Sequence, residues 1–234
     1  MKKFAFLVAI AVWFSSCHQI AGNGNIRAEK RNAGNFHGVK SGGSIDIEIK
    51  NGDTYSVSVE DDDNLLPYIV TEVNDGVLDV YYKSNTSING DHAKVYVTAP
   101  SLDKIVAAGS ADITASDLLK NTKNIDMNVS GSGSIKGKVD APSINISVIG
   151  SGNIDLSGRT KDFHGKVSGS GDLNCGKLQS ENATVIVSGS GNAHVFSSVH
   201  LSATVSGSGG VFYGGNPPSP EIHTSGSGTV ETEK

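Results

Sequence analysis

The sequence predicts an all-β chain: a right-handed parallel β-helix, or solenoid, entered through a hairpin-rich N-terminal β region. Three observations predict it. A V-S-G-S-G phrase or a close variant returns at near-constant spacing through the second half of the chain. Apolar and polar residues alternate on both sides of each phrase, which is the period of a half-buried strand. No stretch of useful length has helical apolar spacing, in a chain with 29 Gly among 234 residues.

Residues 1–16 read as a lipoprotein signal peptide. Lys2 and Lys3 precede an unbroken apolar run from Phe4 to Phe14, followed by Ser15, Ser16 and Cys17. A basic start, an apolar centre and small residues before a cleavage point form an export signal. The run is too short to span a bilayer, which takes about 20 helical residues. Phe14-Ser15-Ser16-Cys17 resembles the lipobox of bacterial lipoproteins. That resemblance implies cleavage before Cys17 and a diacylglycerol on its sulfur, hence an exported protein held by lipid in the cell envelope. The expected place is the outer membrane, on its periplasmic face or at the cell surface.

Loss of Lys2 and Lys3 leaves 17 Lys+Arg against 24 Asp+Glu. The acidic balance, without a basic cluster, makes nucleic acid and anionic membrane surfaces poor partners. With Cys17 acylated, Cys175 stands alone and no internal disulfide is expected. The chain is long enough to be held by its core instead.

Residues 17–35 are polar and rich in Gly and Asn, and are expected to be a flexible tether rather than an irregular first strand near Ile26. Residues 36–108 form the N-terminal β region. Ile45, Ile47 and Ile49 alternate over Ser44 to Lys50, Asn51-Gly52 follows, and Thr54 to Glu60 alternates again. Asn-Gly between alternating runs predicts a hairpin. Tyr68 to Asn74 and Val77 to Lys83 predict another around Asn74-Asp75-Gly76, and Lys94 to Thr98 and Lys104 to Ala107 predict two further strands.

Residues 109–234 form the repetitive coils. The first glycine of each phrase falls at 109, 131, 150, 169, 189, 207 and 226, a spacing of 18 to 22 residues. Such a period signifies a solenoid. Two residues before these glycines stand Ala107, Val129, Val148, Val167, Val187, Val205 and Thr224; four after them stand Ile113, Ile135, Ile154, Leu173, Ala193, Val211 and Val230. Each coil is therefore a strand, a glycine corner and a second strand, and stacked coils share one apolar column. Seven coils at ~4.8 Å make a stack about 34 Å long. Residues 214–220, with three prolines, are expected to bulge as a loop.

Candidate chemistry is sparse. No glycine run ends in Gly-Lys-Ser/Thr, so the phrases are strand corners rather than phosphate loops. Asp61, Asp63 and Glu72 have the first, third and twelfth places of a calcium loop, but Leu65, Leu66 and Pro67 fill positions that need oxygen ligands and glycine. His164, His194 and His223 fall in three different columns, where they cannot converge on a metal. Cys175 lies in an inward column and reads as a small core hydrophobe. For a β-helical glycosidase or lyase the nearest acid pair is Asp155 and Asp172. Coils of this length leave almost no loop to wall a cleft. No catalytic residue, metal site or cofactor is assigned, and the Ser/Thr/Asn-rich outer columns name no individual binding residue.

Phe36 through Ser44-Ile45-Asp46-Ile47, Asp63-Asn64-Leu65-Leu66, Thr71-Glu72-Val73-Asn74-Asp75-Gly76-Val77-Leu78, Ala99-Pro100-Ser101-Leu102 and the Gly-Ser-Gly repeats resemble, in that order, the family described as "putative auto-transporter adhesin, head GIN domain". The resemblance covers roughly residues 36–230, as one continuous domain. It implies a β-helical fold and a place in the envelope of Gram-negative bacteria, and it brings no catalytic motif. The function expected is a non-catalytic envelope adhesin or interaction scaffold that offers a broad face to a glycan or an envelope protein. A purely structural envelope protein and a carbohydrate-active enzyme are the alternatives. The sequence does not specify an oligomeric state.

Overall fold

The computed structural model describes residues 19–90 and 92–233; the export signal and Cys17 lie outside them. The chain is a parallel β-solenoid of about seven turns, with one 3-10 turn, Leu66–Tyr68, among the described residues. The strands Ser134–Gly150, Asn153–Gly169 and Asp172–Gly189 each start on one sheet, bend midway and finish on the other. Neighbouring coils pair in parallel, from Ser134↔Asn153 to Gly150↔Gly169 in the first such pair. Every second residue points inward as the sequence predicts. Ile113, Ile135, Ile154, Leu173, Ala193 and Val211 stack on one sheet, and Met127, Ile146, Val185 and Ala203 on the other, all at most 4% exposed.

One inward position is Gly165, between Ile146 and Val185 in its column. The ring of Phe163, fully buried, fills the space beside it; a Cβ on Gly165 would lie 3.0 Å from Phe163 Cε1. Phe163 in turn sits over Ala183 in the next coil. Bulk is exchanged between neighbouring columns, so the core stays filled.

The corners are made by backbone. Each first glycine has φ between +105° and +129°, and the six from Gly109 to Gly207 each offer their carbonyl oxygen to two amides of the next coil. Gly150 O, for example, accepts from Ser170 N at 2.8 Å and Gly171 N at 3.0 Å. A Cβ on Gly169 would lie 2.3 Å from Gly150 O, and one on Gly171 would lie 2.1 Å from Gly152 O. Both glycines are thus required by the closeness of the stack, while the serine between them faces solvent. The residue after each phrase continues the ladder: Asn153 Oδ1 accepts from Asp172 N at 3.1 Å, and Asp172 Oδ1 from Asn192 N at 2.8 Å.

An eighth corner precedes the seven that the period predicts. Gly43 pairs with Gly109 and has φ +112°. The solenoid therefore begins with Gly38–Gly43 and Asp46–Asn51, and the chain leaves it for residues 52–103 before returning at Lys104–Gly109. The excursion caps the stack. On one sheet, Val77–Tyr82 adds in parallel to Gly38–Gly43 and Ile69–Asn74 adds antiparallel to it. This is the predicted hairpin, with Asp75 (φ +49°) and Gly76 (φ +75°) giving its type I′ turn.

The other predicted hairpin does not form. Lys94–Ala99 lies between Asp46–Asn51 and Ser56–Asp62, parallel to the first and antiparallel to the second. Neither Asn51 nor Gly52 takes the positive φ of a type I′ turn, and Gly52 N is bonded to Ala99 O at 3.2 Å. The inward isoleucines of 45–49 require a rung on each side, and a two-residue turn would have closed one side with the wrong strand.

Residues 19–35 are not simply a tether. Ile26–Arg31 pairs antiparallel with Ser56–Asp62, and Gln19–Ala21 pairs with Ser87–Asn89. The strand is almost wholly exposed, so nothing in its apolar pattern marks it. Backbone pairing holds it, together with Arg31 Nη2 donating to Leu66 O at 2.9 Å and Gly24 N donating to Asp62 Oδ1 at 2.5 Å. Its Arg27, Lys30 and Arg31 discourage further strands from adding there. The opposite end carries no cap among the described residues: Glu221–Gly226 is exposed throughout, and Ile222 is 41% exposed above a fully buried Ala203.

Candidate recognition groove

A hollow of about 990 Å³ lies on the outer face of the sheet that follows the corners. Short coils alone do not wall such a groove, and the expectation that no cleft forms needs correcting. Two irregularities supply the walls. Asp155 pairs with Asn174 but Ser157 with Lys177, so two residues, Cys175 and Gly176, oppose Leu156. This bulge is the extra residue in the interval from Gly169 to Gly189, and it pushes Gly176 and Lys177 outward. The second wall is the expected loop after Gly214, where Gly215 and Asn216 take φ +95° and +53°.

The floor is built from outward positions of successive rungs. Asp155, Asn174 and His194 are stacked neighbours in one column, and Phe212 is the next. The His194 ring lies on the Phe212 ring with centroids 4.9 Å apart at 19°. His194 Nδ1 is 3.1 Å from Glu233 Oε2, which ties the last described rung to the groove. Phe196, two residues on, lies against Gly214 and Gly215; a Cβ on Gly215 would be 3.0 Å from its Cζ and 2.2 Å from Ser197 O. The groove thus combines an aromatic ring with two carboxylates, two side-chain amides and one ammonium. A smaller hollow of about 560 Å³ on the other sheet is lined by Asn145, His164, Lys166 and Ile186, among others.

Asp155 lines the groove and Asp172 does not. The Asp172 carboxylate is turned to Asn192, accepting from its backbone amide at 2.8 Å and its side-chain amide at 3.3 Å. The acid pair considered from the sequence is therefore not brought together in the groove. The three histidines occupy separate columns: His164 beside Thr184, His194 beside Phe212, and His223 beside Thr204. Among the described residues no group of His, Cys, Asp and Glu could hold a metal ion. Asp61, Asp63 and Glu72 are spread over the cap: Asp61 is buried, Asp63 accepts from Asn23, and Glu72 accepts from Tyr81 Oη.

Cys175 is a core residue, 1% exposed, and burial pushes its thiol up to about 12. A thiol held so far from ionisation is no nucleophile. Buried Asp61 has one carboxylate oxygen bonded to Asp62 N and the other unpartnered, and burial raises its carboxyl above the usual range. The same surroundings, burial first and the Asp61 charge second, hold the Tyr82 phenol at about 12.

Fold and groove define a class: a β-solenoid whose interior is filled, whose corners are backbone, and whose features lie on its outer faces. The chain belongs to the family described as "putative auto-transporter adhesin, head GIN domain", whose profile matches residues 35–217. A crystal structure described as a putative adhesin from Bacteroides fragilis NCTC 9343 superposes with a TM-score of 0.85 at 20% identity, covering 92% of this chain and 100% of that one. One described as a putative lipid binding protein from Parabacteroides distasonis ATCC 8503 gives 0.78 at 27% identity over 92% and 100%. One described as a putative adhesin from Parabacteroides merdae ATCC 43184 gives 0.74 at 24% over 92% and 99%. No curated protein matches the chain significantly.

Proposed function

We propose that the protein is a non-catalytic adhesin of the cell envelope, anchored by lipid on Cys17, that binds a glycan or a partner protein through the outer face bearing the groove. The observation that carries this is the contrast between a filled interior and a walled outer groove. Core positions on both sheets are closed to solvent, while the groove gathers polar and aromatic side chains from separate coils on one exposed surface. Adhesin-family membership supports the same reading. A filled interior is a poor home for an acyl chain, so a lipid ligand of the kind named for one relative is the weaker reading here. Lipid at Cys17 rests on the sequence around it, and a diacyl anchor of that kind holds firmly because each buried CH₂ contributes about 0.8 kcal/mol.

Two experiments test the proposal together. Labelled fatty acid supplied to cells is expected in the wild-type protein and not in Cys17→Ser. Protease added to intact cells is expected to degrade the wild-type protein, and cells displaying it are expected to adhere to glycan-coated or protein-coated surfaces. Complete protection from protease, with no adhesion difference from a deletion strain, would leave only a structural role inside the envelope.

A further inference from the structure

The groove's chemistry is specific enough to name a ligand class. A pyranose ring has one face of C–H groups, which packs on an aromatic ring, and a rim of hydroxyls that each donate and accept. Phe196 offers the apolar surface, held in place against Gly214 and Gly215. Around it stand an acceptor, Asp155, two amides that both donate and accept, Asn174 and Asn216, and a donor, Lys177. That set matches hydroxyls, which need partners of both kinds.

Charge narrows the class. Asp155, Glu233 and Lys177 line the groove, with Lys136 and Lys138 on the rung before Asp155 and Glu231 on the rung after Phe212, and His194 and Glu233 engage each other at 3.1 Å. Acids and bases around the groove therefore balance, which leaves no surplus positive charge to hold a carboxylate or phosphate, and the groove favours an uncharged sugar over anionic sugars and lipid headgroups. An acyl chain would gain little from a floor ringed by polar side chains. We infer that the groove between the 175–176 bulge and the 214–216 loop is a subsite for a neutral pyranose, stacked on Phe196 with its hydroxyls on Asp155 and Asn174. This rests on the adhesin reading above and sharpens it to one site and one ligand chemistry.

The test is a titration of the purified mature protein with neutral glycans, with uronate- or sialate-bearing glycans, and with phosphatidylglycerol vesicles, read by calorimetry. Neutral glycans are expected to bind, acidic ones at least tenfold more weakly, and vesicles no better than they bind a lipid-free control protein. Phe196→Ala is expected to weaken neutral-glycan binding at least tenfold. Asp155→Ala, a surface change that leaves the core untouched, is expected to do the same, and its circular dichroism and unfolding midpoint should equal wild type. Unchanged glycan affinity in Asp155→Ala, or preferential binding of acidic glycans or vesicles, would overturn the inference. Adhesion assays with the same variants separate the two levels. Cells displaying Asp155→Ala that adhere as well as wild type would sink the groove subsite and leave the adhesin reading standing. Wild-type cells that adhere to nothing would sink the adhesin reading itself.

Discussion

The cap and the coils bury the same kinds of residue by opposite means. In the coils, each strand meets its copy from the turn before, in parallel and in register, and glycine corners bring the backbones close enough to share carbonyls. In the cap, Ser56–Asp62 pairs antiparallel with Ile26–Arg31 and Lys94–Ala99, as Ile69–Asn74 does with Val77–Tyr82. The cap joins the coils in parallel through Val77–Tyr82 and Lys94–Ala99, and a single type I′ turn does locally what the corners do by repetition. The two glycines at the junction show the difference. Gly43 and Gly109 have almost the same φ, +112° and +115°, yet a Cβ on Gly43 meets nothing within 4 Å and one on Gly109 lies 2.3 Å from Gly43 O. The same residue in the same conformation has room for a Cβ at the bottom of the stack and none one rung above, while the positive φ disfavours a side chain at both. Stacking, rather than the bend, is what demands glycine in the coils.

That contrast can be broken by substitution. Gly169→Ala adds a backbone collision to an unfavourable φ and is expected to lower stability by about 4 kcal/mol, read by urea unfolding. Phe163→Ala leaves the space beside Gly165 empty and should cost roughly 3 kcal/mol in the same assay, with the double change Phe163→Ala, Gly165→Leu recovering part of it. Gly43→Ala meets only the conformational penalty and should cost about 1–2 kcal/mol. A loss at Gly43 as large as that at Gly169 would mean that the bend alone demands glycine.

The smallest expected effect lies in the cap and depends on pH. Asp61 is buried with a raised folded-state pKa, so the folded protein favours its protonated form. Stability from that preference is fully present below the ordinary Asp range and is lost as pH rises through the raised value. Asp61→Asn should therefore be more stable than wild type at pH 7, by roughly 1 kcal/mol, and the gain should shrink toward pH 4. A gain that grows on acidification would show the sign to be wrong.

Much of the coil region is legible from the sequence because its cause is periodic. The Gly-Ser-Gly spacing, the inward columns and the separate columns of the three histidines all follow from one repeat. What the sequence hides is what breaks the repeat. Gly43 escapes because the cap separates it from Gly109, the next corner in its stack. The strand Ile26–Arg31 escapes because backbone pairing holds it and no apolar alternation marks it. Asn51-Gly52 misleads because the strand between its flanks is supplied from residues 94–99. The groove escapes for a similar reason: its wall is one inserted residue at the 175–176 bulge, and its floor joins Asp155, Asn174 and His194 from three coils. Their shared column could have been read by tabulating the fifth residue after each corner glycine, where Phe212 follows them.

The claim beneath all of this is that each corner carbonyl binds the amides of the next coil. Native-state hydrogen exchange by NMR tests it most directly. Ser132, Ser151, Ser170, Ser190 and Ser208 are exposed turn residues, yet their amides sit 2.8–2.9 Å from a corner carbonyl one coil earlier. Their exchange is predicted to be slow, near that of core strand amides such as Val148 and Val167. Exchange at the rate of free loop amides would contradict the stacked corner.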